Sequence, residues 1–342
     1  ELIAARKVDG AEQYFSRAYE FGFSKSAEEA LRIWNKEKIL ADVVWVIRLY
    51  QPDIIIKRFP PDSRAGHGHH AASAVLADEA FIAAADPKRF PEQFSYGVKP
   101  WQVKRILWNT YNFGSNNTTG DDQLKIDIGG FNPLIGKSYG EVGAEARTMH
   151  KSQGEGRPGR RGIITEYFLT TGGDAPKATL MDGINIGWSR IEGGAAIQTQ
   201  IEDIIRSFSA DEPARSVPPL VKLYNAIKGL PESNWKTKKL TDVKELIEAC
   251  SALFMEVTAQ AQLNVIGDSA KFTISLNNRT GVTVKNAEIS FLGSVNRFDS
   301  LRKNENYTKN ISISISKETP STQPYWLERP LQPGAYDVSR QE

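Results

Sequence analysis

Three of the four histidines in this 342-residue chain fall in one window, His67-Gly68-His69-His70. Imidazole is the commonest metal ligand and the only side chain whose ordinary pKa lies near neutrality, so the window points to metal binding or acid–base chemistry. His67 and His70 are three residues apart. At the head of a helix that spacing puts both on one face, with Cβ atoms about 5–6 Å apart. One imidazole can then ligate a metal while the other faces a substrate. The partial positive charge of a helix N-terminus disfavours imidazolium and favours a developing oxyanion. The same HxxH spacing also fits a solvated, histidine-rich loop. A hydrolytic zinc site takes three protein ligands and keeps one position open, and the sequence holds no HExxH and no second close histidine pair.

The elements around the window place it at a strand-to-helix turn. Asp53-Ile54-Ile55-Ile56 reads as a strand over 53–58, residues 59–66 as a turn, and the alanine-rich run 71–85 as a helix. Upstream, Ser26-Ala-Glu-Glu29 reads as a capping box heading a helix with apolar residues from Ala30 to Ile47, ended by Pro52. Further strands are expected at 103–111 and 123–128. This alternation predicts an α/β fold with a mainly parallel sheet covered by helices on both faces. Ligands in such sheets bind beyond the carboxyl ends of the strands, where the turn at 59–70 lies. Helices are expected at 195–207, 217–230 and 240–262. From residue 263 the pattern changes to alternation, with strands at 271–276, 282–285, 287–292 and 311–316, read as a β-sandwich-like domain. The expected domains are therefore 1–175, a helical connecting region at 176–262, and a β-rich domain at 263–342.

Composition excludes several classes. An apolar content of 40% with 25% charged residues is that of a globular protein. A net charge of +2 gives no reason to expect a nucleic-acid partner. No apolar run reaches the roughly 18 residues that a membrane span needs. The single cysteine, Cys250, allows neither an intrachain disulfide nor a cysteine-rich metal site, and its apolar helical surroundings predict a buried, inert thiol.

The segment Arg58-Phe-Pro-Pro-Asp-Ser-Arg-Ala-Gly-His-Gly-His-His-Ala-Ala-Ser73 resembles the second motif of the PIG-L (LmbE-like) zinc deacetylases. Residues 1–51 and the stretch Lys137-Ser-Tyr-Gly-Glu-Val with His150-Lys-Ser-Gln153 resemble the family too. The long multidomain bacterial members are similar over essentially the whole chain. The resemblance implies a Rossmann-like sheet and zinc-dependent hydrolysis of the acetamide on an N-acetylglucosamine-type sugar or glycan. It implies His70 as a zinc ligand, and His67 as the catalytic residue that stabilises the oxyanion or protonates the leaving amine. In the family the other ligands, and the aspartate that activates the attacking water, belong to an AHPDDE-type motif. That motif is absent here. The expectation is that it lies upstream of residue 1, so that residues 1–342 hold an incomplete, inactive zinc site. Many members have Pro-Asp between the two histidines; Gly68-His69 stands there in this chain. The long members imply an exported bacterial protein whose signal peptide is outside the sequence.

Other residues supply candidates. Asp62 is placed to hold His67 or His70 from behind. Arg64 in the same turn is placed to bind a substrate hydroxyl or phosphate. His69 is a neighbour of unknown role, and His150 belongs either to the pocket rim or to helix packing. The glycine-rich, basic run 154–162 lacks the ending of a phosphate-binding loop and reads as a mobile loop that lids the pocket. Trp188, Tyr325 and Trp326 are aromatic candidates for stacking a sugar, with core packing the alternative. A competing function is a non-catalytic carbohydrate-binding or scaffold protein carrying a degenerate deacetylase domain. A third is a related hydrolase acting on esters or non-sugar amides.

Overall fold

The computed structural model describes residues 1–154 and 156–338. The chain forms two compact units, Glu1–Ile184 together with Pro324–Glu342, and Asn185–Gln323.

The first unit begins with helices α1 (Leu2–Asp9), α2 (Ala27–Trp34) and α3 (Lys36–Tyr50). Ser26 caps α2 by accepting the Glu29 amide at 3.2 Å. The reciprocal bond of a capping box is not made, because the Glu29 carboxylate takes the Lys25 amide at 2.7 Å instead. The single helix expected after Ser26 is two, since Asn35 takes a positive φ of 61° and its side chain caps α3. Gln51 ends α3 in the left-handed region, one residue before Pro52. Strand β1 (Ile54–Lys57) follows, then α4 (Gly68–Ala83), then strand β2 (Arg105–Thr110). Small strands β3 (Asn112–Phe113) and β4 (Asn116–Asn117) form a hairpin; β5 (Leu124–Asp127) stands alone in sequence; β6 (Phe131–Asn132) and β7 (Lys137–Ser138) form a second hairpin. Helix α5 (Tyr139–Thr148) starts with a complete capping box between Ser138 and Glu141, and strand β8 (Thr165–Gly173) completes the sheet.

The sheet order is β1-β2-β8-β5. β1 and β2 are parallel, with Ile54 opposite Arg105 and Lys57 opposite Trp108, whereas β2–β8 and β8–β5 are antiparallel. The fold is α/β, but the sheet is mixed rather than mainly parallel. A parallel neighbour needs a crossover that returns to the same end. α4 supplies one between β1 and β2, but α5 packs on α1, and β8 enters from the opposite end. Ile39, Leu40, Val44 and Ile47 of α3 bury against Leu76, Ala80 and Ala83 of α4. On the other side α4 meets α2 through Ala27, Ala30, Ala71 and Ala72. Alanines permit this close approach, and that is what brings the chain before α2 onto the head of α4.

In the second unit α6 (Ala195–Ser207), α7 (Val217–Lys228) and α8 (Asn234–Ser251) pack around Ile197, Leu220, Leu223, Ile227, Val243 and the buried Cys250. Trp188 is half-buried and packs against this cluster. The helix expected over 240–262 stops at Ser251, where Ala252 turns into the left-handed region with φ 48°. Leu253–Ala259 is strand β9, followed by β10 (Ser269–Asn278), β11 (Lys285–Phe291), β12 (Ser294–Ser300) and β13 (Asn306–Ser314). The run Phe-Met-Glu-Val-Thr tolerates either form, and pairing with β10, Met255 opposite Leu276 and Val257 opposite Ile274, decides it. The pairings between these strands are antiparallel, in sheets ordered β13-β10-β9 and β11-β12. Phe272 meets Phe291 and Phe298 meets Tyr307 edge to face, at 5.1 and 5.8 Å between ring centroids, across the two sheets. No helix among the described residues is long and apolar enough to cross a membrane.

Candidate functional site

The histidine window opens α4 just beyond the carboxyl end of β1. His67 is the N-cap residue, with extended backbone (φ −124°, ψ 148°), and His69 and His70 lie in the first turn. The His67 and His70 rings are 5.1 Å apart, so the three-residue spacing does bring them together. His67 is exposed and its ring meets Phe23 edge to face at 4.8 Å.

His70 is held on two sides. Phe59 stacks on it at 3.8 Å with the planes 4° apart. Its Nδ1 lies 3.1 Å from the Ala65 carbonyl. A carbonyl only accepts, so Nδ1–H donates, and in the neutral ring the lone pair is on Nε2. This is the backing bond by which metal-binding histidines fix their tautomer. The turn that delivers the carbonyl is a short 3-10 helix, Ser63–Ala65, closed by Gly66 at φ 82°.

Asp62 is not a backing group for either histidine. It caps that 3-10 turn through the Arg64 amide at 3.0 Å, and it pairs with the Arg64 guanidinium at 2.7–2.9 Å. The Arg64 hydrogen bonds hold the Asp62 carboxyl below its usual range. Arg64 in turn lies 5.2 Å from the Trp108 ring, and its carbonyl accepts from the Tyr111 hydroxyl at 2.8 Å. Trp108 Nε1 donates to the Arg58 carbonyl at 3.1 Å. The carboxyl end of β2 thus fixes the 58–64 turn against the sheet, and the turn fixes His70. Sequence reasoning had no signal for Phe59, Trp108 or Tyr111 in this role, since ring contacts and bonds across some 50 residues leave no local pattern.

His69 packs with Phe21 at 4.3 Å and Trp34 at 4.8 Å, away from its two neighbours in the window. Adjacent helical residues do not share a face. Its amide donates to Ser24 Oγ at 2.7 Å, its Nδ1 lies 2.6 Å from the same oxygen, and its buried Nε2 has no partner. The Gly68 amide donates to the Ser24 carbonyl at 3.0 Å. Ser24 therefore occupies two of the amides that the helix N-terminus was expected to offer a developing oxyanion.

Gly68 is required by this crossing, because a Cβ there would fall within contact distance of the Ser26 carbonyl and the Ser24 hydroxyl. Glycine to alanine inside a helix ordinarily stabilises by about 1 kcal/mol. Gly68→Ala is expected to do the opposite, costing about 1–3 kcal/mol through overpacking, as read by urea unfolding. Unchanged or raised stability would show that residues 24–26 are not held on the helix.

His150 follows α5 near Glu1, whose carboxyl is held below its usual range chiefly by the Ser152 hydroxyl and amide, both at 2.7 Å. Among the described residues no hydrogen bond or ring contact joins His150 to the window. The glycine-rich run bonds to Thr148, through the Arg157 amide, and to Ser138, through the Arg160 carbonyl, and Glu155 in it lies outside the described residues. Trp326 is 41% exposed. Among the described residues no three His, Cys, Asp or Glu side chains are grouped to hold a metal ion. The window thus has one nitrogen whose tautomer is set by a backing bond, leaving His70 Nε2 with the lone pair, and a second imidazole beside it. Comparison with the models of known protein families gave no match, and neither did comparison with curated proteins.

Proposed function

We propose that this chain is part of a zinc-dependent hydrolase of the PIG-L (LmbE-like) kind, exported by a bacterium, that removes acetyl from an N-acetylglucosamine-type sugar or glycan. The observation that carries the reading is the setting of His70. Its ring is clamped by Phe59 and its tautomer set by the Ala65 carbonyl, so that Nε2 is the ligating atom. The parallel pair β1–β2 is read as part of a larger Rossmann-like sheet whose remaining strand and ligands come from outside residues 1–342. The two facing sheets of the second unit are read as a small sandwich.

Zinc, when bound, would polarise the scissile carbonyl and make its water nucleophilic near neutral pH. The chain's own residues do the rest. His70 holds the metal at the carboxyl end of β1. His67, with its ring 5.1 Å from that of His70, reaches the amide from the solvent side and either steadies charge growing on the carbonyl oxygen or gives a proton to the leaving nitrogen. Arg64, whose side chain is 54% exposed although paired with Asp62, borders the same turn and is placed to orient the substrate.

Zinc content and acetate release, measured on residues 1–342 and on the protein with its preceding sequence, test this. The isolated chain is expected to hold zinc below stoichiometry and to release no acetate, and the longer protein to do both. Tight stoichiometric zinc, or deacetylation by the isolated chain, overturns the assignment of ligands outside it. A longer protein that binds sugar but neither holds zinc nor turns the sugar over supports the non-catalytic reading. Preference for acetyl esters or non-sugar amides overturns the choice of substrate.

A further inference from the structure

The three-stranded sheet of the second unit has an outer face. Its register puts Thr273, Ser275 and Asn277 of β10 opposite Asn310, Thr308 and Asn306 of β13. Residues opposite one another, and residues two apart along a strand, share a face. The alternate set includes Phe272 and Tyr307, whose rings meet Phe291 and Phe298 of the other sheet. The six polar residues therefore point away from that sheet. Asn306, Thr308 and Asn310 are exposed, and the three on the central strand are half-buried.

The solvent face of an antiparallel sheet is ordinarily polar, but this one is polar almost without charge. It carries hydroxyls and side-chain amides, and among the described residues on its paired strands the charged ones are Lys271 and Glu256. Nucleic acids and anionic bilayers are held by clustered Lys and Arg, which this face lacks. Nor does it form the apolar patch that marks a protein partner, since Phe254 is its one large apolar side chain among those residues. Its chemistry matches a neutral molecule dense in hydroxyl groups.

Some of its side chains are also fixed in advance. Thr273 Oγ1 donates to Asn310 Oδ1 at 2.9 Å, and Asn277 Nδ2 donates to Asn306 Oδ1 at 2.6 Å. Each bond uses an asparagine oxygen and leaves that residue's amide hydrogens for a ligand. Side chains ordered before binding lose less freedom on binding. Neighbouring groups lie about 4.8 Å apart across strands and about 6.8 Å apart along them, the scale of a pyranose ring. Phe254, opposite Asn277 on β9 and 40% exposed, adds an apolar ring at one end, with the Arg279 guanidinium 5.8 Å from its centre.

We propose that the outer face of β9, β10 and β13 binds a neutral polysaccharide, Asn306 and Asn310 donating to sugar hydroxyls. The surface lies in the second unit and needs neither zinc nor deacetylation.

Depletion of the 342-residue chain from solution by insoluble polymers tests it, with cellulose and chitin as neutral polymers and cross-linked polygalacturonate as an anionic one. Binding is expected to cellulose or chitin and not to polygalacturonate, and it should persist at about 1 M salt, where charge attraction is screened. The double variant Asn306→Ala, Asn310→Ala is expected to weaken it about tenfold, through the loss of two sets of hydrogen bonds. Both residues are exposed, so thermal unfolding should change little, and that measurement separates lost binding from lost fold. Binding to neither neutral polymer, equal binding to polygalacturonate, release by salt, or a folded double variant that binds as well as the parent each overturns the proposal. So does a dimer, seen by sedimentation, that the double variant dissolves while polymer binding is absent, since a second copy of the chain would then be the occupant. Zinc content and acetate release are not read here, so failure of this proposal and failure of the hydrolase reading are distinguishable.

Discussion

Arg48→Ala is expected to lower the stability of the first unit by about 4 kcal/mol or more. Arg48 is completely buried on the inner face of α3. Its guanidinium donates to the carbonyls of Ala83, Ala84, Asp86, Arg89 and Phe90, and to Gln93 Oε1, at 2.8–3.2 Å. These carbonyls belong to the end of α4 and the turn after it, where the helix dipole is negative, and those of Ala83, Ala84, Asp86 and Phe90 each accept a backbone amide as well. Phe94 lies 4.7 Å from the guanidinium carbon. Burial pulls the Arg48 pKa below its usual value, against the nearby charges of Glu92 and Asp86. Removing the side chain strands the Arg89 carbonyl and Gln93 Oε1 at about 1–3 kcal/mol each, takes one of two bonds from the other carbonyls, and empties the space the buried side chain fills, although the terms do not add fully. Against a typical total of 5–15 kcal/mol, the loss is large. Arg48→Lys should recover little of it, because one ammonium cannot reach carbonyls spread around a planar fork. Urea unfolding of the three proteins is the measurement. A loss under about 1 kcal/mol for Arg48→Ala would show that this end of α4 is open to water.

His70→Ala, in the protein carrying its preceding sequence, is expected to lose zinc and at least about a thousandfold in kcat/KM, since several kcal/mol of charge stabilisation go with the metal. On the proposed function, His67→Ala is expected to keep zinc and to lose about 10²–10⁴ in kcat with little change in KM, the pattern of a group that acts in the transition state. Phe59→Ala leaves both imidazoles present but frees the His70 ring, and should weaken zinc about 10–100-fold. Metal analysis by mass spectrometry separates these outcomes from a fall in activity caused by misfolding. Full zinc content in His70→Ala sinks the ligand assignment. Unchanged kcat in His67→Ala sinks the catalytic one.

What the sequence by itself determined was local. The run Asp53–Ile56, the turn with Pro60 and Gly66, and the alanine-rich segment after the histidines prescribe a strand, a turn and a helix through backbone preference and periodicity. The HxxH spacing prescribes that His67 and His70 share a face. Helices α6 and α7 and strand β10 are legible for the same reason. Strand direction was not legible, because β8 looks alike whether it runs with β2 or against it, and only the path of the chain between them decides. The fate of residues 253–259 was not legible either, since partners on β10 that lie well along the chain, Ala259 opposite Phe272 to Leu253 opposite Asn278, make them a strand.

The site divides in the same way. Which histidine is backed by a carbonyl, and which is drawn into the Phe21–Trp34 pocket, depends on α2 crossing the head of α4 over small residues. Asp62 reads as a histidine partner in sequence, but in space Arg64 lies nearer and takes both of its oxygens. Arg48 carries no sequence signal at all, because its partners are carbonyls of a helix end more than 30 residues away. Side-chain type and spacing set what chemistry the window can do. Long-range contacts, which alone fix ring orientation, tautomer and solvent access, decided which of its three imidazoles is prepared to do it.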